Sequence, residues 1–120
     1  MDPERATELL ERERSRINRE LAELRADRGT GNDELSGVDQ HTADAGTELF
    51  EQERDTSLIE RLERDLEAVE RAFKRLAEGK YGVSVDSGKP IPDQRLEAVP
   101  WAERTVEEQG PYDAQQRNAG

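Results

Sequence analysis

From Ile59 the apolar residues fall at Ile59, Leu62, Leu66, Val69, Phe73 and Leu76, in alternating steps of three and four. A repeat of about 3.5 residues is a coiled-coil seam, narrower than the stripe of an ordinary amphipathic helix. Leu10, Ile17, Leu21 and Leu24 carry the same pattern upstream, with Arg14 at one seam position. On the flanks, Glu60/Arg64, Glu67/Arg71 and Glu70/Lys74 stand four residues apart with the acid first. Each such pair contributes about 0.2–0.5 kcal/mol to a helix. Asp2-Pro3 opens a helix as cap and first residue, and Gly79 closes one. The pattern predicts one helix over about residues 3–28 and a second over about 47–79.

Each narrow stripe needs a partner. The intervening stretch, rich in Gly, Asp, Thr and Asn, is long enough to reverse the chain. The expected fold is therefore mainly α: a long antiparallel coiled-coil hairpin over residues 1–80 with its tip near 29–47. An intermolecular coiled coil is the rival arrangement.

After Gly79 the pattern changes. Tyr81 to Val85 alternates like a short strand, Asp86 to Pro90 is a turn cluster, and Ile91-Pro92 can begin a return strand. Arg95 to Glu108 reads as a short helix interrupted at Pro100-Trp101. Tyr81, Val83, Val85, Ile91, Leu96, Val99, Trp101 and Val106 are the expected core of a small lobe over 81–109. The polar residues 110–120 read as a disordered tail.

Composition sharpens this plan. Leu, Ile, Val and Phe make up 22 of 120 residues and the formal net charge is −11, which without the seam would place the chain among disordered sequences. The acidic excess argues against direct binding to nucleic acid or to an anionic membrane. No apolar run approaches the length of a membrane span, and Met1-Asp2-Pro3-Glu4 does not resemble a secretion signal, so a cytoplasmic protein is expected. Charge is uneven: residues 29–47 hold Asp33, Glu34, Asp39 and Asp44 with no base, whereas both helices are nearly balanced. The tip is acidic.

At Tyr81 to Glu108 the sequence resembles the zinc ribbon of the DksA/TraR family, bacterial regulators that bind RNA polymerase. Tyr81-Gly82, Gly88, Ile91, Arg95-Leu96-Glu97-Ala98, Pro100 and Ala102 stand where that family has its own characteristic residues. The likeness extends over roughly residues 35–109 and is nearest to the small Gram-positive-type members. It implies a helical hairpin with a small ribbon lobe, in agreement with the periodicity. Where the family places four zinc-binding cysteines, this chain has Ser84, Ser87, Thr105 and Glu108, and it has no cysteine anywhere. Three neutral hydroxyls and one carboxylate do not build a closed tetrahedral zinc site, so no zinc and no other cofactor is expected. Apolar contacts, together with hydrogen bonds among Ser84, Ser87 and Thr105, are expected to hold the lobe instead.

The resemblance also assigns the tip. In the family the hairpin enters the polymerase's secondary channel and presents acidic residues near the catalytic centre. The family's D-x-x-D-x-A tip pattern aligns with His41, Asp44 and Gly46, so only its second acid is kept, and Asp39 lies close by. Asp39, His41 and Asp44 are the candidate polymerase-facing residues; Asp44 also reads as a cap of the second helix. Phosphate loops, nucleophile triads and spaced metal-ligand clusters are absent from the sequence, so an enzyme is not expected. Two readings stand: a zinc-less regulator with RNA polymerase as partner, monomeric or weakly dimeric, or a coiled-coil interaction protein that has lost the polymerase role. A metal-binding stress protein using the tip acids is a weaker third.

Overall fold

The structure, a computed structural model, describes the backbone of residues 1–33 and 45–119 and the side chains of residues 1–26 and 53–117. Asp39, His41 and Asp44 therefore lie outside the described residues. Four helices follow one another: α1 (Pro3–Asp33), α2 (Ala45–Ala77), α3 (Asp93–Ala98) and α4 (Val106–Ala119). Both seam helices form where the three-four spacing places them. Helix α1 runs five residues past the expected end at 28, since extending a formed helix adds a hydrogen bond for each residue fixed, whereas starting one is costly. Asp2 caps α1 as expected: its carboxylate accepts from the Arg5 N–H at 3.3 Å, and its carbonyl accepts from the Ala6 N–H at 2.9 Å.

Two compact units divide the chain. One comprises residues 1–13 and 67–120, the other residues 14–66. The start of α1 shares its unit with the end of α2, and the rest of α1 with the start of α2, which is the pairing of an antiparallel hairpin. In the second unit the buried side chains are Ile17 and Leu21 of α1 and Ile59 and Leu62 of α2. Arg25 of α1 forms an ion pair there with Glu63 of α2. In the first unit Leu9, Leu10, Val69 and Ala72 are buried, joined by Ala6 and Ala68. These alanines sit beside the seam and permit close helix approach, a role that a search for large apolar residues overlooks.

Helix α2 ends at Ala77, and Gly79 takes a left-handed φ of 75°. That conformation strains any residue with a Cβ, and it explains glycine as the stop. The lobe that follows is built without strands among the described residues. Val83 and Pro90 make one isolated antiparallel bridge, flanked by Ser84 N–H to Lys89 C=O and Ile91 N–H to Gly82 C=O, both 2.8 Å. The expected strand pair shrinks to this bridge for two reasons. Pro90 has no N–H to donate, and the Val85 N–H turns away to the Glu103 carbonyl at 2.9 Å.

The lobe's core is Ile91, Leu96 and Ala102, with Met1, Tyr81 and Val99 packed on it. Trp101 is half-buried. Three residues expected inside are outside: Val83 is 37% exposed, Val85 47% and Val106 62%. A single bridge has no second layer to cover alternate side chains, and Val106 opens α4 on its solvent side. Beyond Gly110, where composition predicts disorder, α4 continues through Pro111 to Ala119. Its first turn is capped, and Arg104 lies over the Tyr112 ring at 3.5 Å, a cation–π contact that ties α4 to the preceding loop. Among the described residues no helix is long and apolar enough to cross a membrane.

Candidate functional site

The two halves of the lobe meet along segments 84–88 and 103–108. Beside the Val85–Glu103 hydrogen bond, Arg104 Nε donates to Asp86 Oδ2 at 2.8 Å. Ser84 and Ser87 lie on the first of these joined segments and Thr105 and Glu108 on the second, the four residues expected where the resembled family has its cysteines.

Each has a defined hydrogen-bonding task. Ser84 is 3% exposed. Its Oγ accepts from the Asp86 N–H at 3.1 Å and the Ser87 N–H at 3.2 Å, while the Gly88 N–H donates to its carbonyl at 3.0 Å. The Ser87 Oγ accepts from the Lys89 N–H at 3.2 Å. Thr105, 8% exposed, stands just before α4, and Glu108 is the third residue after it. The Thr105 N–H donates to Glu108 Oε1 at 3.0 Å, and the Glu108 N–H donates back to Thr105 Oγ1 at 3.3 Å. That reciprocal pair is a capping box. Thr105-Val106-Glu107-Glu108 carries its sequence signature, which a comparison with cysteine positions alone passes over.

The Glu108 carboxylate closes the capping box from its side by accepting the Thr105 N–H. The neighbouring polar groups of Ser84, Ser87 and Thr105 draw its pKa down to about 2. A zinc ion does not fit this arrangement. Three of the four side chains are neutral hydroxyls already committed to backbone partners, and a structural site needs four strong donors around the cation. Among the described residues no group of three or more His, Cys, Asp or Glu side chains is placed to hold a metal ion.

A second charged centre joins the lobe to α2 within the same unit. Glu103 accepts from Arg71 Nε at 2.8 Å and Nη2 at 3.0 Å, and from Arg75 Nη1 at 3.1 Å. Burial alone would raise its pKa, but the Arg71 hydrogen bonds and the charges of Arg71, Arg75 and Arg104 hold it below the usual range. Arg75 is only 14% exposed, and its Nε and Nη2 have no hydrogen-bond partner. At the other side of the lobe, Arg5 of α1 grips Glu97 through Nε at 3.0 Å and Nη2 at 2.8 Å. The Tyr81 hydroxyl donates to the Pro100 carbonyl at 2.8 Å, and burial pushes its pKa up to about 12. Sequence reasoning missed the roles of Glu103 and Glu97. Their partners are about 30 and 90 residues away along the chain and leave no local mark.

Comparison with known proteins places this geometry. Residues 79–114 match the family model of the prokaryotic DksA/TraR C4-type zinc finger. The chain is 47% identical over 77 residues to General stress protein 16O of Bacillus subtilis (strain 168), a match covering 63% of this chain and 47% of that protein. It is 42% identical over 74 residues to the uncharacterized protein YteA of the same strain, covering 62% of this chain and 31% of that protein. The chain thus spans about half and about a third of the lengths of these relatives. The structure of transcription factor DksA2 from Pseudomonas aeruginosa superposes with a TM-score of 0.74 at 24% identity, covering 98% of this chain and 89% of that one. The chain shares the fold of that DksA2 structure, and residues 79–114 match the DksA/TraR C4-type zinc-finger model although the chain contains no cysteine.

Proposed function

We propose that this protein is a non-enzymatic transcription regulator of the DksA/TraR type that acts on RNA polymerase in the cytoplasm and needs no structural zinc. The observation that carries this reading is the joint occurrence of the DksA fold over 98% of the chain and the family segment at 79–114. The domain plan that goes with it is a hairpin over 1–80 and a lobe over 81–109, followed by the C-terminal residues of α4.

In this reading the hairpin tip enters the polymerase's secondary channel. Asp39 and Asp44 approach the catalytic Mg²⁺ or the basic groups around it, and His41 stands between them in sequence. The physical support is charge placement. A carboxylate-bearing tip without a base is attracted to a basic, metal-containing channel, while nearly neutral helices add little repulsion along the walls. Metal independence has separate support. A structural zinc contributes on the order of 10–16 kcal/mol to folding of small peptides. Here the lobe has its own apolar core, a capping box and two arginine–carboxylate clamps.

Binding to cognate polymerase, followed by transcription in vitro, tests the reading. Wild type is expected to bind and to alter transcript yield, while Asp39→Asn/Asp44→Asn binds with its effect on yield reduced. Failure of wild type to bind contradicts the proposal, and equal effects of wild type and double variant contradict the role of the tip.

A further inference from the structure

We propose that the cleft where α2, α3 and α4 meet in the first unit is a docking site for an acidic segment of a partner protein, held by the uncommitted nitrogens of Arg71, Arg95 and Arg104. The inference goes beyond the polymerase reading and stands without it. Every residue it uses belongs to the unit of residues 1–13 and 67–120, and none to the acidic stretch 29–47.

The cleft has a volume of about 260 Å³, and its charged lining is three arginines and one carboxylate, Glu103. That positive excess runs against the −11 of the whole chain. It is assembled by the fold: Arg71 comes from α2, Arg95 from α3 and Arg104 from the loop before α4. Each arginine is anchored but not used up. Arg71 commits Nε and Nη2 to Glu103, Arg95 donates Nε to the Arg104 carbonyl at 3.1 Å, and Arg104 donates Nε to Asp86. Among the described residues no hydrogen bond engages Arg71 Nη1, or either Nη group of Arg95 and Arg104. Arg75 shares Glu103 through Nη1 while its own Nε and Nη2 lack partners, so Glu103 does not neutralise the cluster.

The remaining walls suit a peptide. Trp101 and Tyr112 line the cleft half-buried, and Ala68 and Val99 add apolar surface. Tryptophan, tyrosine and arginine are the residues that dominate protein interfaces energetically. Arg104, stacked on Tyr112 at 3.5 Å, is already ordered, so binding costs it little conformational entropy. The ligand class follows from charge. These guanidiniums already hold carboxylates in Glu103 and Asp86. Glu103 stays in the lining and repels a dianion twice as strongly as a monoanion at the same distance, which favours carboxylate side chains over phosphate.

Trp101, the single tryptophan, reports on the cleft directly. The full chain is titrated at low ionic strength with a short synthetic peptide of alternating Glu and Leu, and with the same peptide carrying Gln for Glu. The account predicts a saturable change in Trp101 fluorescence with the Glu peptide only, weakening as salt is added. Arg104→Gln is expected to lower the affinity about tenfold. Gln109→Glu, which adds a carboxylate to the lining, is expected to lower it similarly and decides the matter if Arg104→Gln does not fold. Three results overturn the proposal: no saturable response to the Glu peptide, an equal response to the Gln peptide, or unchanged affinity in the folded variants. Displacement of the Glu peptide by inorganic phosphate at lower concentration also overturns it, since the cleft is then a phosphate site.

Discussion

Removing the Glu103 carboxylate, as in Glu103→Ala, should loosen the lobe from α2. The carboxylate is 17% exposed and accepts three hydrogen bonds from two guanidinium groups. The two arginines differ in what they lose. Arg71 is 52% exposed and regains water when its partner goes, so its share is small, as for surface pairs in general. Arg75 is 14% exposed and already has two nitrogens without partners, so loss of Glu103 leaves its largely buried guanidinium without the carboxylate that Nη1 contacts. Breaking a fully buried pair costs about 3–5 kcal/mol, and the partial exposure of this one reduces the expectation to about 2–3 kcal/mol. For a two-state chain of this length that is about 10 °C in melting temperature. Trp101, the single tryptophan, reports on the lobe by fluorescence, and circular dichroism reports on the helices. Both are followed during heating. Arg75→Met together with Glu103→Met is expected to recover most of the loss, because an apolar pair carries no desolvation cost. A loss under about 0.5 kcal/mol for Glu103→Ala, the range of ordinary surface changes, refutes the view that this clamp holds lobe and helix together.

The remaining predictions concern the lobe's core and its acid response. Leu96, fully buried, should cost about 2–5 kcal/mol on truncation to alanine, whereas Val106→Ala at 62% exposure should stay within about 0.5 kcal/mol; chemical denaturation of both variants compares them. Glu108 titrates near 2 and Glu103 also below the usual carboxylate range. Carboxylates with lowered folded pKa values stabilise above the unfolded value of about 4.3 and lose that contribution as pH falls through the folded one. Trp101 fluorescence should therefore be constant from pH 7 to about 4.5 and change on descent towards 2; a change completed above pH 5 contradicts the assignment. Tyr81 should ionise near pH 12 by ultraviolet absorbance, and Tyr81→Phe should cost about 1 kcal/mol for the lost bond to Pro100.

Which parts of this structure the sequence disclosed follows from the range of the forces involved. Ile59 to Leu76 announced a helix because a seam is periodic, and Gly79 announced its end because a left-handed residue is a local demand. Val83, Val85 and Val106 misled because alternation states only that one face is apolar, and the single Val83–Pro90 bridge supplies nothing to cover it. Pro111 and the polar residues after it read as disorder, yet α4 starts from a capped end and gains a contact at Tyr112 that no neighbouring residue predicts. At Ser84, Ser87, Thr105 and Glu108 the sequence shows the spacing and the absence of cysteine. The local hydrogen bonding is half legible: Thr105 and Glu108 spell a capping box, but the joining of segments 84–88 and 103–108 depends on the register of Val85 with Glu103, which only the fold supplies. Glu103 looked like one more surface acid because its partners lie on a different helix.

Metal independence of the lobe is tested most directly by melting the purified full chain, followed by Trp101 fluorescence, with and without a strong chelator, alongside metal analysis of the same sample. The account predicts protein without stoichiometric zinc and superimposable melting curves. A zinc ion bound to each chain, with the Trp101 transition collapsing on chelation while the helices persist, contradicts it.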